Sequence, residues 1–148
     1  MHLVCVVGRG GGGSAGTVSG SVGLTSATLT VSAATGARAP NSGTKTVGTV
    51  TATVTAASGS TFTNVVGTLA GGRGTLAVVF DNNTSAVTNL FLELGGPADA
   101  TYLSGICGHC AGTTVNTTAK TLTFVDTVVT DMSTPPVSLA KLNGTLGY

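Results

Sequence analysis

An all-β antiparallel fold is predicted, either a β-sandwich or a small up-and-down barrel of about eight to ten strands. Three observations carry the prediction. Thr and Val alternate along most of the chain, hairpin-sized turn signals separate the alternating runs, and no segment keeps a helical period. The chain has 148 residues, of which 41% are hydrophobic and only 7% charged. That length suits one domain with a single core.

Taken in order, residues 1–7 read as an apolar strand. A glycine-rich tether follows, so residues 1–16 stand apart from a single β-domain at 17–148. Within that domain Val18, Val22 and Leu24 form a first inward set, and Ala27, Leu29 and Val31 a second. Residues 45–56 give the clearest alternation, with Val50, Ala52, Val54 and Ala56 on one face and Thr49, Thr51, Thr53 and Thr55 on the other. Thr and Val are β-branched and lose rotamer freedom in a helix, so propensity agrees with periodicity. Leu76, Val78 and Phe80, then Leu90, Leu92 and Leu94, continue the inward pattern.

The runs are punctuated by Ala57-Ser58-Gly59-Ser60, Gly71-Gly72-Arg73-Gly74, Asp81-Asn82-Asn83-Thr84 and Gly95-Gly96-Pro97. Loops this short force antiparallel neighbours, so residues 45–94 form a four-strand meander. About four short strands follow, with Leu122 and Phe124, then Leu142 and Leu146, facing inward. Pro135 and Pro136 make residues 131–138 a loop before a last strand at 141–148.

Composition excludes several function classes. Six Lys and Arg against five Asp and Glu leave a net charge of +1, with no basic stripe to displace counterions from phosphates, so no nucleic-acid partner is expected. No apolar run approaches the roughly 20 residues of a membrane-spanning helix. Aromatic residues are 4% of the chain with no Trp, too few for the two girdles of a lipid-facing barrel. Gly8-Arg9-Gly10-Gly11-Gly12-Gly13 has the spacing of a dinucleotide-binding turn, but the strand-like Thr17–Gly23 stretch follows where a helix is required. Ser14 stands where a phosphate-binding loop needs Lys. No cofactor is expected.

Cys107-Gly108-His109-Cys110 is the sharpest local feature. Its letters match a thiol-exchange motif, whose chemistry needs the first cysteine to open a helix, and no helical run follows. A Cys107–Cys110 disulfide pinning a hairpin loop is the leading reading; closing so short a loop contributes about 2 kcal/mol. Cys5 is then left for lipidation, an intermolecular bridge or a free thiol. A third reading assembles His2, Cys5, Cys107 and Cys110 into a tetrahedral zinc site.

The acids form no catalytic pair. Asp81 and Asp99 lie in turns, where short acceptors cap backbone amides, and Asp126 interrupts an apolar face as a bulge or edge residue would. His2 and His109, the only histidines, lack a nucleophile elbow or a partner acid.

Cys5, the Gly/Ser tether after it and the Thr/Val/Gly-rich remainder, including residues 113–130 and 142–146, resemble small bacterial outer-membrane lipoproteins and secreted surface proteins. The resemblance implies export to the cell surface or beyond, with a lipid anchor at Cys5. The expected function is a non-enzymatic structural or adhesive domain that self-associates or binds another cell-surface protein. Leu3, Val4, Val6 and Val7 are the candidate assembly strand, able to add to a neighbour's open sheet edge. The alternatives are a small-molecule or glycan-binding module near Asp99, Tyr102 and residues 107–110, and a redox or metal protein centred on the cysteine segment.

Overall fold

The computed structural model describes residues 18–22, 28–32, 36–70 and 74–148. Ten strands run in chain order: β1 (Val18–Val22), β2 (Thr28–Ser32), β3 (Gly43–Ala57), β4 (Ser60–Ala70), β5 (Gly74–Asp81), β6 (Val87–Leu94), β7 (Leu103–Cys107), β8 (Thr113–Asn116), β9 (Thr121–Thr130) and β10 (Ser138–Gly147). One 3-10 turn, Gly36–Asn41, is the helical element among the described residues. The expected meander over 45–94 is β3 to β6, and the four later strands are β7 to β10.

The sheet closes. From β2 each strand pairs antiparallel with the next through β3, β4, β5, β6 and β7 to β9 and β10, and β10 returns to β2. The ring is an eight-stranded up-and-down barrel, which decides between the two expected architectures. Such a ring has an interior just wide enough for side chains to fill. Phe80, Phe124, Leu29, Leu76, Leu90, Leu92, Leu103, Leu122, Leu142 and Leu146 are fully buried within it. The inward sets predicted on β2, β5, β6, β9 and β10 all point to this core. Val18 and Val22 belong to β1, and Leu24 and Ala27 lie outside the described residues.

Bulges bend the wall. On β3, Val47 faces Leu69 and Val50 faces Gly67, so one extra β3 residue lets both valines turn inward although they are three apart in sequence. On β9, Leu122 and Phe124 face inward, Val125 and Asp126 outward, and Thr127 and Val129 inward again. Asp126, with φ of 49°, is therefore the bulge residue that its position suggested. Its amide donates to Asn143 Oδ1 at 2.8 Å, and Asn143 Nδ2 donates back to Asp126 Oδ1 at 3.1 Å.

At one mouth of the barrel Tyr148 packs against Phe80, with ring centroids 5.4 Å apart, and its amide donates to the Lys120 carbonyl at 2.8 Å. Lys120 Nζ stands 5.6 Å from the Tyr148 ring centre. The Tyr148 hydroxyl is buried and has no hydrogen-bond partner among the described residues, and burial pushes its pKa above the ordinary tyrosine value. The folded chain therefore keeps this proton where the unfolded chain releases it, so stability is lost as pH rises through the tyrosine range. Tyr148→Phe removes the unpartnered group and is expected to leave stability unchanged or raise it by about 1 kcal/mol. Thermal melts at neutral pH and near the tyrosine range check both points, because the variant loses less stability than the parent on the alkaline side.

Candidate functional site

β7 and β8 lie along the same edge of β9. Ile106 faces Thr130 and Thr113 faces Phe124, so seven steps along β7 and β8 match six along β9. The two strands are one interrupted strand, and the interruption is the cysteine segment. Cys107 and Cys110 form a disulfide with Cα atoms 5.2 Å apart. The chain folds back onto the sheet through two left-handed residues, Cys110 at φ 35° and Gly112 at φ 88°. The Thr113 amide donates to the Cys110 carbonyl at 2.9 Å, and the Val125 amide to the Gly112 carbonyl at 2.8 Å. Thr113 Oγ1 lies 3.1 Å from Oγ1 of the buried Thr127. The disulfide loop thus faces the Asp126 bulge across the ladder, and a crease runs over β7/β8, β9 and β10 at one height.

Within the loop, Gly108 and His109 are exposed, Cys107 is half-buried and Cys110 is buried. The first cysteine closes a strand instead of opening a helix, so the helix-terminal stabilisation on which thiol-exchange enzymes rely is not built here. Both sulfurs are committed to the disulfide, and in that state neither is a thiolate ligand for zinc. His2 and Cys5, the other half of that expected site, lie outside the described residues, as do Leu3, Val4, Val6 and Val7.

The polar candidates serve the loops. Asp81 Oδ1 accepts from the Asn83 amide at 2.7 Å, and Asp99 Oδ2 from the Gly96 amide at 2.7 Å, as turn acceptors do. Tyr102 Oη donates to Glu93 Oε2 at 2.8 Å. Tyr102 precedes β7 and the disulfide follows it, so a five-residue strand separates them, roughly 15 Å at the usual rise. The convergence expected of Asp99, Tyr102 and residues 107–110 is therefore not formed. Asp131 Oδ1 gathers the loop before β10, accepting from the Ser133 hydroxyl and amide and from the Val137 amide. The Ser133 hydroxyl, then the Val137 amide, hold its pKa below the ordinary carboxylate value.

Two features escape a one-dimensional reading. First, among the described residues β1 ladders only with β3 and β8 only with β9, so each has one edge without a ladder partner. Second, the exposed large hydrophobics among these residues, Val125, Val128, Met132 and Val137, all lie on β9 or the loop after it. The interrupted pattern around Asp126 is the one sequence signal pointing to that strip. No protein-family model, curated protein or solved structure matches the chain.

Proposed function

We propose that this chain is a non-enzymatic structural or adhesive domain of the cell surface or extracellular space, which self-associates by strand addition. Residues 3–7 of one copy, carrying Leu3, Val4, Val6 and Val7, pair with an open edge of the next copy or of another surface protein. The observation that carries this reading is the pair of edges, on β1 and β8, that have no ladder partner among the described residues. Natural sheets protect edges with Lys, Pro or inward charges, whereas β1 is Val-Ser-Gly-Ser-Val and β8 Thr-Thr-Val-Asn. Packed side chains inside the ring favour a scaffold over a ligand cage, and the disulfide supports an oxidising setting.

Removing residues 1–8 from the chain tests the reading by light scattering across a concentration series. The parent is expected to grow in mass with concentration while the truncated chain stays monomeric. Equal masses for the two overturn the proposal.

A further inference from the structure

We propose that the outer wall of β4 to β7 is a lateral contact between copies, in which Phe91 of one copy seats over Ala77 of the other across a two-fold axis. The outside of the barrel is divided. On β2, β3 and β10 the outward side chains are polar, as with Thr28 and Thr30, Thr51 and Thr53, and Lys141 and Asn143. On β4 to β7, Val66, Ala77, Phe91 and Ile106 each lie next in sequence to a buried residue, Val65, Leu76, Leu92 and Gly105 in turn, so they point outward. Val66 faces Ala77, Ala77 faces Phe91 and Phe91 faces Ile106, which sets the four in one row across four strands. All four are half-buried, and Val79 extends the row along β5. Charge reaches the outer side of these strands only at opposite ends, through Asp81 and Glu93, among the described residues. No second layer covers the row among these residues: the one element besides the strands is the Gly36–Asn41 turn, which Asn41 ties to Thr101 before β7.

The occupant is a second copy because the row complements itself. A two-fold axis running along the strands between β5 and β6 reverses the order of the row. Ala77 then meets the partner's Phe91 and Phe91 meets the partner's Ala77, small against large twice over at the centre of the contact. Val66 meets the partner's Ile106 at each flank. Thr75, which faces Glu93 in its own ladder, meets the partner's Glu93, so no carboxylate faces another. Sheets packed face to face lie about 10 Å apart, a spacing that a ring opposite a methyl group fills. Four strands and five residues along each give roughly 350 Å² per copy, under half of the ~800 Å² that a stable complex buries on each side. Free copies therefore pair only weakly, with half-dissociation on the order of 1 mM, and stay monomeric at micromolar concentration. The contact gains strength where copies are already joined and several rows act together. It uses none of residues 1–8 and so goes beyond strand addition.

The test uses the full chain at about 1 mM, where a contact of this size is populated. Phe91→benzoylphenylalanine places a photoreactive ring at the knob, and equal amounts of isotope-labelled and unlabelled chain are mixed before illumination. Peptide mass spectrometry should find mixed-label links from position 91 to β5 of the other copy. The reciprocal chain, carrying Ala77→benzoylphenylalanine with Phe91→Ala, should link position 77 to β6 of the other copy. With Phe91 retained, that second link should fall by about tenfold, because two rings then meet. Both positions face outward, so melting temperatures within about 5 °C of the parent's are expected. Links confined to peptides of one label lie within a single copy and overturn the contact. Mixed-label links from position 91 to β6, β1 or β8 overturn the two-fold arrangement, as does an equal yield from position 77 with and without Phe91. Loss of the β5 and β6 links leaves strand addition standing, whereas a chain that fails to add strands still forms them at this concentration.

Discussion

Phe80→Ala is expected to lower the free energy of unfolding by about 3–5 kcal/mol, read as the shift in denaturant midpoint at unchanged slope. Phe80 is fully buried on β5 and is the residue against which Tyr148 packs. It pairs with Thr63 on one side and Val87 on the other, so it stands between β4 and β6 near the same mouth. Deleting its ring removes apolar contact and leaves a void that a closed ring of laddered strands cannot collapse into, because the backbone hydrogen bonds fix the interior's width. In a domain of this length such a loss lowers the melting temperature by roughly 10 °C. Val125→Thr is the contrast: this β9 side chain is 62% exposed, and its expected effect stays within about 0.5 kcal/mol. A Phe80→Ala loss below about 1 kcal/mol would mean that the interior at this mouth is not packed.

The same contrast explains how much of the fold was legible in the sequence. Leu76, Val78 and Phe80, or Leu90, Leu92 and Leu94, are separated by single residues that face the other way. A strand buried on one face demands that period, so the pattern identifies both the strand and its inner face. What alternation cannot convey is which strands meet at long range. Closure through β10 and β2 depends on accumulated twist and stagger around the ring, which no single strand encodes. The composite strand of β7 and β8 is hidden for the same reason: its halves are joined only by sharing β9.

Bulges account for most of the remaining discrepancies. Val47 and Val50 belong to one inner face only because β3 carries an extra residue against β4. On β3 the set Val50, Ala52, Val54 and Ala56 fades from fully buried to exposed along the strand. Periodicity shows which face points inward, but burial also needs a ring wall opposite, and β2 flanks only the first part of β3 while β1 flanks the later part. At the candidate site, the Cys107–Cys110 pairing follows from spacing, since a cysteine pair three apart in a turn can close. The neighbouring strip on β9 does not, because alternation from Leu122 and Phe124 carries Asp126 and Val128 inward, whereas the bulge at Asp126 resets the pattern so that Thr127 and Val129 face the core and Val128 faces out.

Gly112→Ala carries the second large effect, an expected loss of about 3 kcal/mol. Gly112 has φ of +88°, and a Cβ on it would lie 2.1 Å from the Val125 carbonyl oxygen and 3.3 Å from Thr127 Oγ1. The first atom is backbone, held by the β9 ladder, so the strand itself must move by about 1 Å to reach ordinary contact distance. That motion acts on the Val125 amide bond to Gly112 and on the pairing of Thr113 with Thr127. Left-handed geometry adds its own cost for any residue with a side chain. Gly108→Ala, in the same loop, meets nothing within 4 Å and is expected to be neutral within about 0.5 kcal/mol. The pair separates two views of the cysteine segment. If the loop were an appendage, both variants would behave alike. A large loss at Gly112 with none at Gly108 places the stability in the seating of the loop on β9, where one glycine lets two bulged strands approach. Amide exchange at Val125 reports it directly, and is expected to accelerate in Gly112→Ala and to stay unchanged in Gly108→Ala.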